Sequence, residues 1–292
     1  MKLIRLLVLT AGAATAVFPA NVQVALLDSA NTRDFFARHY PTCGAGSFYL
    51  GAEEYQRYFR GWEYVLQTNG IPYELINDLD VTETGLSRFK LLILSNNAEL
   101  TSDQSKAVQQ WVIRGGRLIA TFGSGYKSTD EDSRQVDNLK LQKGGTVGLH
   151  ELWHDPMSKL FSSNPVNNGA GTDILITQYT GPTACLSGQL TGDLLPYGAE
   201  SNLLVRRPLD AKDVLGAVMI KNVSFPRPEP GIISTRLAAG LVVYYAFAPE
   251  YIVSKEFNLP TSIPCPDGQN WSGRSAAGRA LMLCTIQYLL AN

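Results

Sequence analysis

Residues His150, Glu151 and His154 stand in HELWH, the one stretch of the chain whose letters match a zinc-hydrolase pattern. On a helix, two histidines at i and i+4 share a face and ligate the metal, while the intervening glutamate serves the metal-bound water as general base. The flanks argue against that helix. Asp155-Pro156 follows the second histidine directly, and proline disfavours helical geometry at the residue before it. Gly144, Gly145 and Gly148 leave little room for helix upstream, and no histidine follows His154. Asp155, Asp173, Asp193 and Glu200 are the remaining candidates for a third ligand. A structural role, with Leu149, Leu152 and Trp153 anchoring a short helix under the sheet while the polar residues face solvent, is the preferred reading. A secreted zinc-dependent hydrolase is the alternative.

Ser124, between Gly123 and Gly125, is the second candidate for chemistry. A serine nucleophile needs a base to activate it, and only His39, His150 and His154 are available. The segment lacks the G-x-S-x-G form of a nucleophile elbow, so an ordinary turn serine is expected, with a serine hydrolase as a further alternative.

The elements that must position these groups follow from periodicity. NVQVALLD (21–28), YELIND (73–78), KLLILS (90–95) and RLIATF (117–122) have the short apolar form of buried strands. A long loop carrying His39, Gly44 and Gly46 is expected after the first. Tyr55 to Leu66 shows helical spacing up to an Asn69-Gly70 stop, and Thr101 with Gln104 forms a capping-box pair for a helix ending at Gly115-Gly116. Strands alternating with helices predict an α/β fold, a parallel sheet flanked by helices. Beyond an irregular stretch, DILITQY, NLLVRR, VLGAVMI, GIISTR and LVVYYAFAPE predict a β-rich extension in the C-terminal half, with a hairpin at Ala238-Ala239-Gly240. A final helix is expected over about 275–290.

Composition narrows the function classes. The 292 residues are 45% hydrophobic and 17% charged with a net charge of −1, which gives no electrostatic basis for binding nucleic acid. Lys2 and Arg5 precede an apolar run and small residues near Ala16 and Ala20, the pattern of a signal peptide over 1–20. Secreted, periplasmic or extracellular placement follows, with no membrane span after cleavage. Cys43, Cys185, Cys265 and Cys284 are then disulfide candidates, in any of three pairings. Asn222 and Asn270 begin glycosylation sequons.

The series from Gly70-Ile71-Pro72 through Asn96-Asn97 and the Gly115-Gly116 helix end to Ser124-Gly125-Tyr126-Lys127 resembles the class I glutamine amidotransferase-like fold, most closely its β-galactosidase trimerisation branch. The similarity covers about 21–132 and returns at GIISTRLAAGLVVYYAFAPE (231–250). It implies one flavodoxin-like, amidotransferase-like domain over 21–292, with 127–230 as a divergent insertion. Active members carry a Cys on a strand-to-helix elbow and a His and Glu in a later F-H-P-E. Those positions fall here on Phe122, Ala248 and Glu250. The resemblance therefore implies a non-catalytic domain with a binding or assembly role, a carbohydrate or protein partner, self-association into a homo-oligomer, and no cofactor; zinc belongs to the alternative. Ligands in such sheets bind at strand carboxyl ends, which nominates Asp28, Asn96, Asn97, Ser124, Tyr126 and Glu250. Asn31 is adjacent, and Tyr40, Tyr126 or Trp153 offer a stacking surface.

Overall fold

The computed structural model describes residues 22–39, 55–121, 123–125, 127–128, 165–170, 174–179, 194–195, 201–205, 214–220, 229–259 and 270–292. In chain order the strands are β1 (Val24–Leu27), β2 (Tyr73–Ile76), β3 (Leu91–Ser95), β4 (Glu99–Leu100), β5 (Arg117–Thr121) and β6 (Lys127–Ser128). They continue with β7 (Pro165–Ala170), β8 (Ile174–Tyr179), β9 (Leu194–Leu195), β10 (Ser201–Val205), β11 (Val214–Ile220), β12 (Glu229–Leu237) and β13 (Gly240–Tyr245). The helices are α1 (Ala30–His39), α2 (Gln56–Thr68), α3 (Glu83–Leu86), α4 (Ser102–Ile113), α5 (Pro249–Glu256) and α6 (Ala276–Ala291).

Nine strands form one sheet in the order β2-β1-β3-β5-β13-β12-β11-β8-β9. The first five run parallel, Leu91 pairing with both Val24 and Arg117, and Leu241 with Arg117. Their order is the flavodoxin-like one, in which the sheet grows from β1 first one way and then the other. From β13 onward each pairing is antiparallel. The fold is thus α/β, a parallel sheet flanked by helices with a β-rich extension.

The parallel strands are apolar end to end because both faces are covered. Val24 to Leu27, Leu91 to Leu94 and Leu118 to Ala120 are all buried. One helical layer joins α2 to α5 and α6, and α4 packs on α3 and β13. Right-handed crossovers put these two groups on opposite faces. In α2 the buried row Tyr58, Phe59, Trp62, Val65 and Leu66 faces the sheet. Fully burying a side chain of this size contributes about 1.5–3 kcal/mol.

Three expectations change. Residues 30–39, expected as loop, form α1, because Ser29 Oγ accepts the Thr32 N–H at 3.0 Å and Phe35 and Phe36 are buried. LVVYYAFAPE, expected as one strand, leaves the sheet after Tyr245, and Pro249 opens α5, the position where its missing N–H costs nothing. YELIND ends as a strand at Ile76, with a 3-10 turn at Asp78–Asp80. The α4 capping box is present in both directions, and Ala238 turns the β12–β13 hairpin with φ 52°.

Candidate site at the strand carboxyl ends

Five of the six nominated residues are described and lie at the carboxyl ends of the parallel strands; Tyr126 lies outside the described residues, as do Tyr40 and Trp153. At the β1/β3 switch point the N-terminus of α1 would ordinarily offer its free N–H groups to an anion. Here the chain supplies the anion. Asp78 Oδ2 accepts the Asn31 N–H at 3.0 Å, and its Oδ1 accepts the Ser29 hydroxyl at 2.7 Å. Gln104 Nε2 donates to the Asp78 carbonyl at 2.8 Å, so the β2-to-α3 turn is fastened across the crevice. Asp28 pairs with Arg33 beside it at 2.5 Å. The crevice is filled by a carboxylate that sequence reasoning did not single out, although Asp78 lies at the end of the YELIND segment.

Asn97 is buried and donates to the Tyr55 hydroxyl at 2.9 Å and the Leu27 carbonyl at 3.3 Å. Burial, with Asp28 nearby, raises the Tyr55 phenol well above its ordinary range, so it stays neutral. Asn96 takes a left-handed φ of 50°, which asparagine tolerates better than most residues, and its N–H donates to Thr121 Oγ1 at 3.2 Å.

Ser124 is buried, with hydrogen bonds from its hydroxyl to the Leu94 carbonyl at 2.9 Å and the Thr121 carbonyl at 2.8 Å. Its proton is committed to backbone oxygens, which suits a clamp between the ends of β3 and β5. Gly125 completes the turn with φ 70° and donates to the Asn97 carbonyl at 2.8 Å. Phe122, at the elbow position, lies outside the described residues.

Glu250 lies in the first turn of α5 and is fully buried. The Thr121 hydroxyl donates to its Oε1, while Oε2 has no hydrogen-bond partner among the described residues. The buried Trp62 indole N–H faces the carboxyl at a geometry short of a full hydrogen bond. Burial pushes the carboxyl up to about 8, opposed by the Thr121 hydroxyl, its own backbone N–H and Trp62. At neutral pH the group is mostly a neutral acid. Ala248, where the resemblance expects histidine, is the buried N-cap of α5 and makes no side-chain cap. Thr121 and Trp62, both essential to this environment, were legible only as strand and helix residues.

His150, Glu151, His154, Cys43, Cys185 and Cys265 lie outside the described residues. Among the described residues no group of three or more His, Cys, Asp or Glu is placed to hold a metal ion, and no helix is long and apolar enough to cross a membrane. Cys284 is buried on α6 and disulfide-bonded. Asn270 is exposed, its side chain accepting the Ser272 N–H at 3.0 Å. A separate cleft of about 330 Å³ lies at the opposite end of the sheet, against Phe89, Lys90, Trp111 and Gly116.

No protein-family model and no curated protein match the chain. Solved structures do. A putative ThuA-like protein from Bacteroides uniformis is similar over 96% of both chains at 11% identity and a TM-score of 0.56. A catalytic mutant of a GH42 β-galactosidase from G. stearothermophilus is similar over 77% of this chain at 16% identity and a TM-score of 0.53. The β-galactosidase from Bacillus circulans sp. alkalophilus is similar over 85% at 15% identity and a TM-score of 0.53. This chain spans 27% and 33% of the length of those two galactosidases. At such identities the likeness is one of fold alone, shared with the ThuA-like protein and with a part of the galactosidases.

Proposed function

We propose that this chain is an exported, non-catalytic amidotransferase-like domain, one unit over residues 21–292, that acts by binding or assembly in a carbohydrate-related system. The observation that carries this reading is the state of the α5 N-terminus. Ala248 presents a methyl group where the resemblance expects an imidazole, and Glu250 is sealed behind Thr121 as a mostly neutral acid. A general base or an orienting carboxylate needs an ionised group within reach of its partner, and this one is turned into the core. Ser124 is likewise committed to the Leu94 and Thr121 carbonyls.

The carbohydrate setting is supported by the resemblance to the β-galactosidase trimerisation branch and by likeness to part of two β-galactosidases. Fold alone carries no chemistry, so the reading takes from them a setting and no activity. Purified protein should release no ammonia from glutamine and hydrolyse no nitrophenyl β-galactoside, while galactose-containing oligosaccharides or self-association give a measurable isotherm. Turnover that disappears in Glu250→Gln would overturn the reading. Stoichiometric zinc in protein purified without added metal, lost in His150→Ala, would establish the hydrolase in its place.

A further inference from the structure

β2 is the outer strand on the parallel side of the sheet. The Ile76 carbonyl accepts the Asp28 N–H at 2.9 Å, so Ile76 and, by alternation, Glu74 turn their amides toward β1. Tyr73 and Leu75 therefore turn theirs outward. At Asn77 the outward groups are already used: its N–H donates to the Asp80 carboxylate at 2.9 Å and its carbonyl accepts the Asp80 N–H at 3.0 Å. Among the described residues the open part of this edge is thus two residues long and sharply bounded.

The same edge carries the two large apolar side chains that stand out from the described surface, Leu75 at 44% and Leu79 at 88% exposure. Leu79 is held there. Its N–H donates to Asn77 Oδ1 at 2.8 Å inside a reciprocal Asn77–Asp80 capping box, so the leucine is fixed outward before any partner arrives. Exposed edges are ordinarily guarded by short length, charged side chains, proline or a bulge; Tyr73–Ile76 is short and its one charge, Glu74, is paired with Arg88, and it has no lysine, proline or bulge.

We propose that a second copy of this chain docks on the β2 edge, antiparallel about a two-fold axis. Only one register uses the free groups of both copies. Tyr73 stands opposite the second copy's Leu75, Leu75 opposite its Tyr73, and Glu74 lies on the axis; the outward amides then make four hydrogen bonds in narrow pairs. Each Leu75 meets a tyrosine ring already steadied by bonds of its hydroxyl with Glu63 at 3.0 Å and Gln67 at 2.6 Å, and aromatic–aliphatic cross-strand pairs stabilise such sheets.

Charge selects the occupant. The Glu74 carboxylates approach across the axis, but each is held by Arg88 through two contacts of 2.6 Å. Two-fold symmetry then sets the two carboxylates opposite each other, each neutralised by its own guanidinium, so a second copy meets the edge without bringing a bare like charge to the axis. This inference rests on the assembly reading above and names its partner.

Analytical ultracentrifugation of the full mature chain tests it. The expected result is a concentration-dependent dimer that becomes monomer in Leu75→Lys/Leu79→Lys, a variant whose changes lie on the surface, whose circular dichroism matches the parent chain and whose melting temperature, unlike the parent's, no longer rises with concentration. Hydrogen exchange on the unaltered chain reads the edge directly: the Tyr73 and Leu75 amides slow as concentration rises, while Glu74 and Ile76 are protected throughout. A chain that is monomeric at every concentration overturns the proposal. So does association that the double variant leaves intact, or Tyr73 and Leu75 amides indifferent to concentration; those results leave the non-catalytic reading standing. Glutaminase or galactosidase turnover overturns that reading and leaves the edge untouched.

Discussion

The Glu250 carboxyl and the Ser124 hydroxyl show how little a residue's type says about its work. A carboxyl whose pKa is higher in the folded than in the unfolded chain binds its proton more tightly when folded. Its contribution is complete below the ordinary value of 4.5 and is lost as pH rises toward about 8. Melting temperature should therefore fall between these values, and Glu250→Gln, which keeps an acceptor for Thr121, should flatten that slope. At pH 9 the variant should exceed the parent chain by a few kcal/mol; parallel curves in a pH series of thermal melts would refute the assignment. For Ser124 the expectation is structural. Ser124→Ala should cost about 1 kcal/mol in urea unfolding by removing the one proton shared between the Leu94 and Thr121 carbonyls, the second of which keeps the residue 124 N–H at 3.1 Å. A fluorophosphonate probe should leave the parent chain unlabelled, and covalent labelling at Ser124 would make the hydroxyl a nucleophile after all.

Among the elements, α1 and α5 depend on partners distant in sequence. α1 is started by Ser29 and Asp78, a residue on the far side of the α2–β2 unit. Asp78→Ala should cost about 2 kcal/mol, because it uncaps α1 and leaves the Ser29 hydroxyl without its acceptor. Chemical denaturation measures this, and an unchanged midpoint would show that the crevice does not need its carboxylate. The α2–α5 contact has no slack. A Cβ at Gly61 would lie 2.0 Å from the Glu250 carbonyl oxygen. Replacing a helical glycine with alanine ordinarily gains up to about 1 kcal/mol, but here overpacking wins. Gly61→Ala should lose about 3 kcal/mol, and a variant as stable as its parent would mean that the helices can separate freely. By contrast, α4 is announced locally by Thr101 and Gln104, whose reciprocal bonds measure 3.0 and 2.8 Å.

At the scale of the whole molecule, nine strands carry the chain from a parallel half to an antiparallel half without interrupting the sheet. The first half is fastened at its opposite end by α6, where Lys90 Nζ donates to the Leu290 carbonyl and Arg117 to the Asn292 carbonyl, the latter at 2.8 Å. The Lys2–Ala20 segment predicts export of the whole chain. N-terminal sequencing of protein recovered outside the cytoplasm should begin just after Ala16 or Ala20, and an intact Met1 would remove the oxidising compartment from the reading of Cys284. The sequence alone determined β1, β2, β3, β5, α2, α4 and the closing hairpin, because apolar runs, helical spacing, a capping box and glycine stops are written within a dozen residues. It also placed Ser124, Asn97 and Glu250 at strand ends. What those side chains do there was decided by tertiary contacts alone. Thr121 and Trp62 reach Glu250 from elements 129 and 188 residues away in sequence, and Asp78 reaches α1 across 47. No local pattern encodes whether a polar group is exposed to a ligand or sealed against a neighbour, since that depends on which distant strand the fold lays beside it.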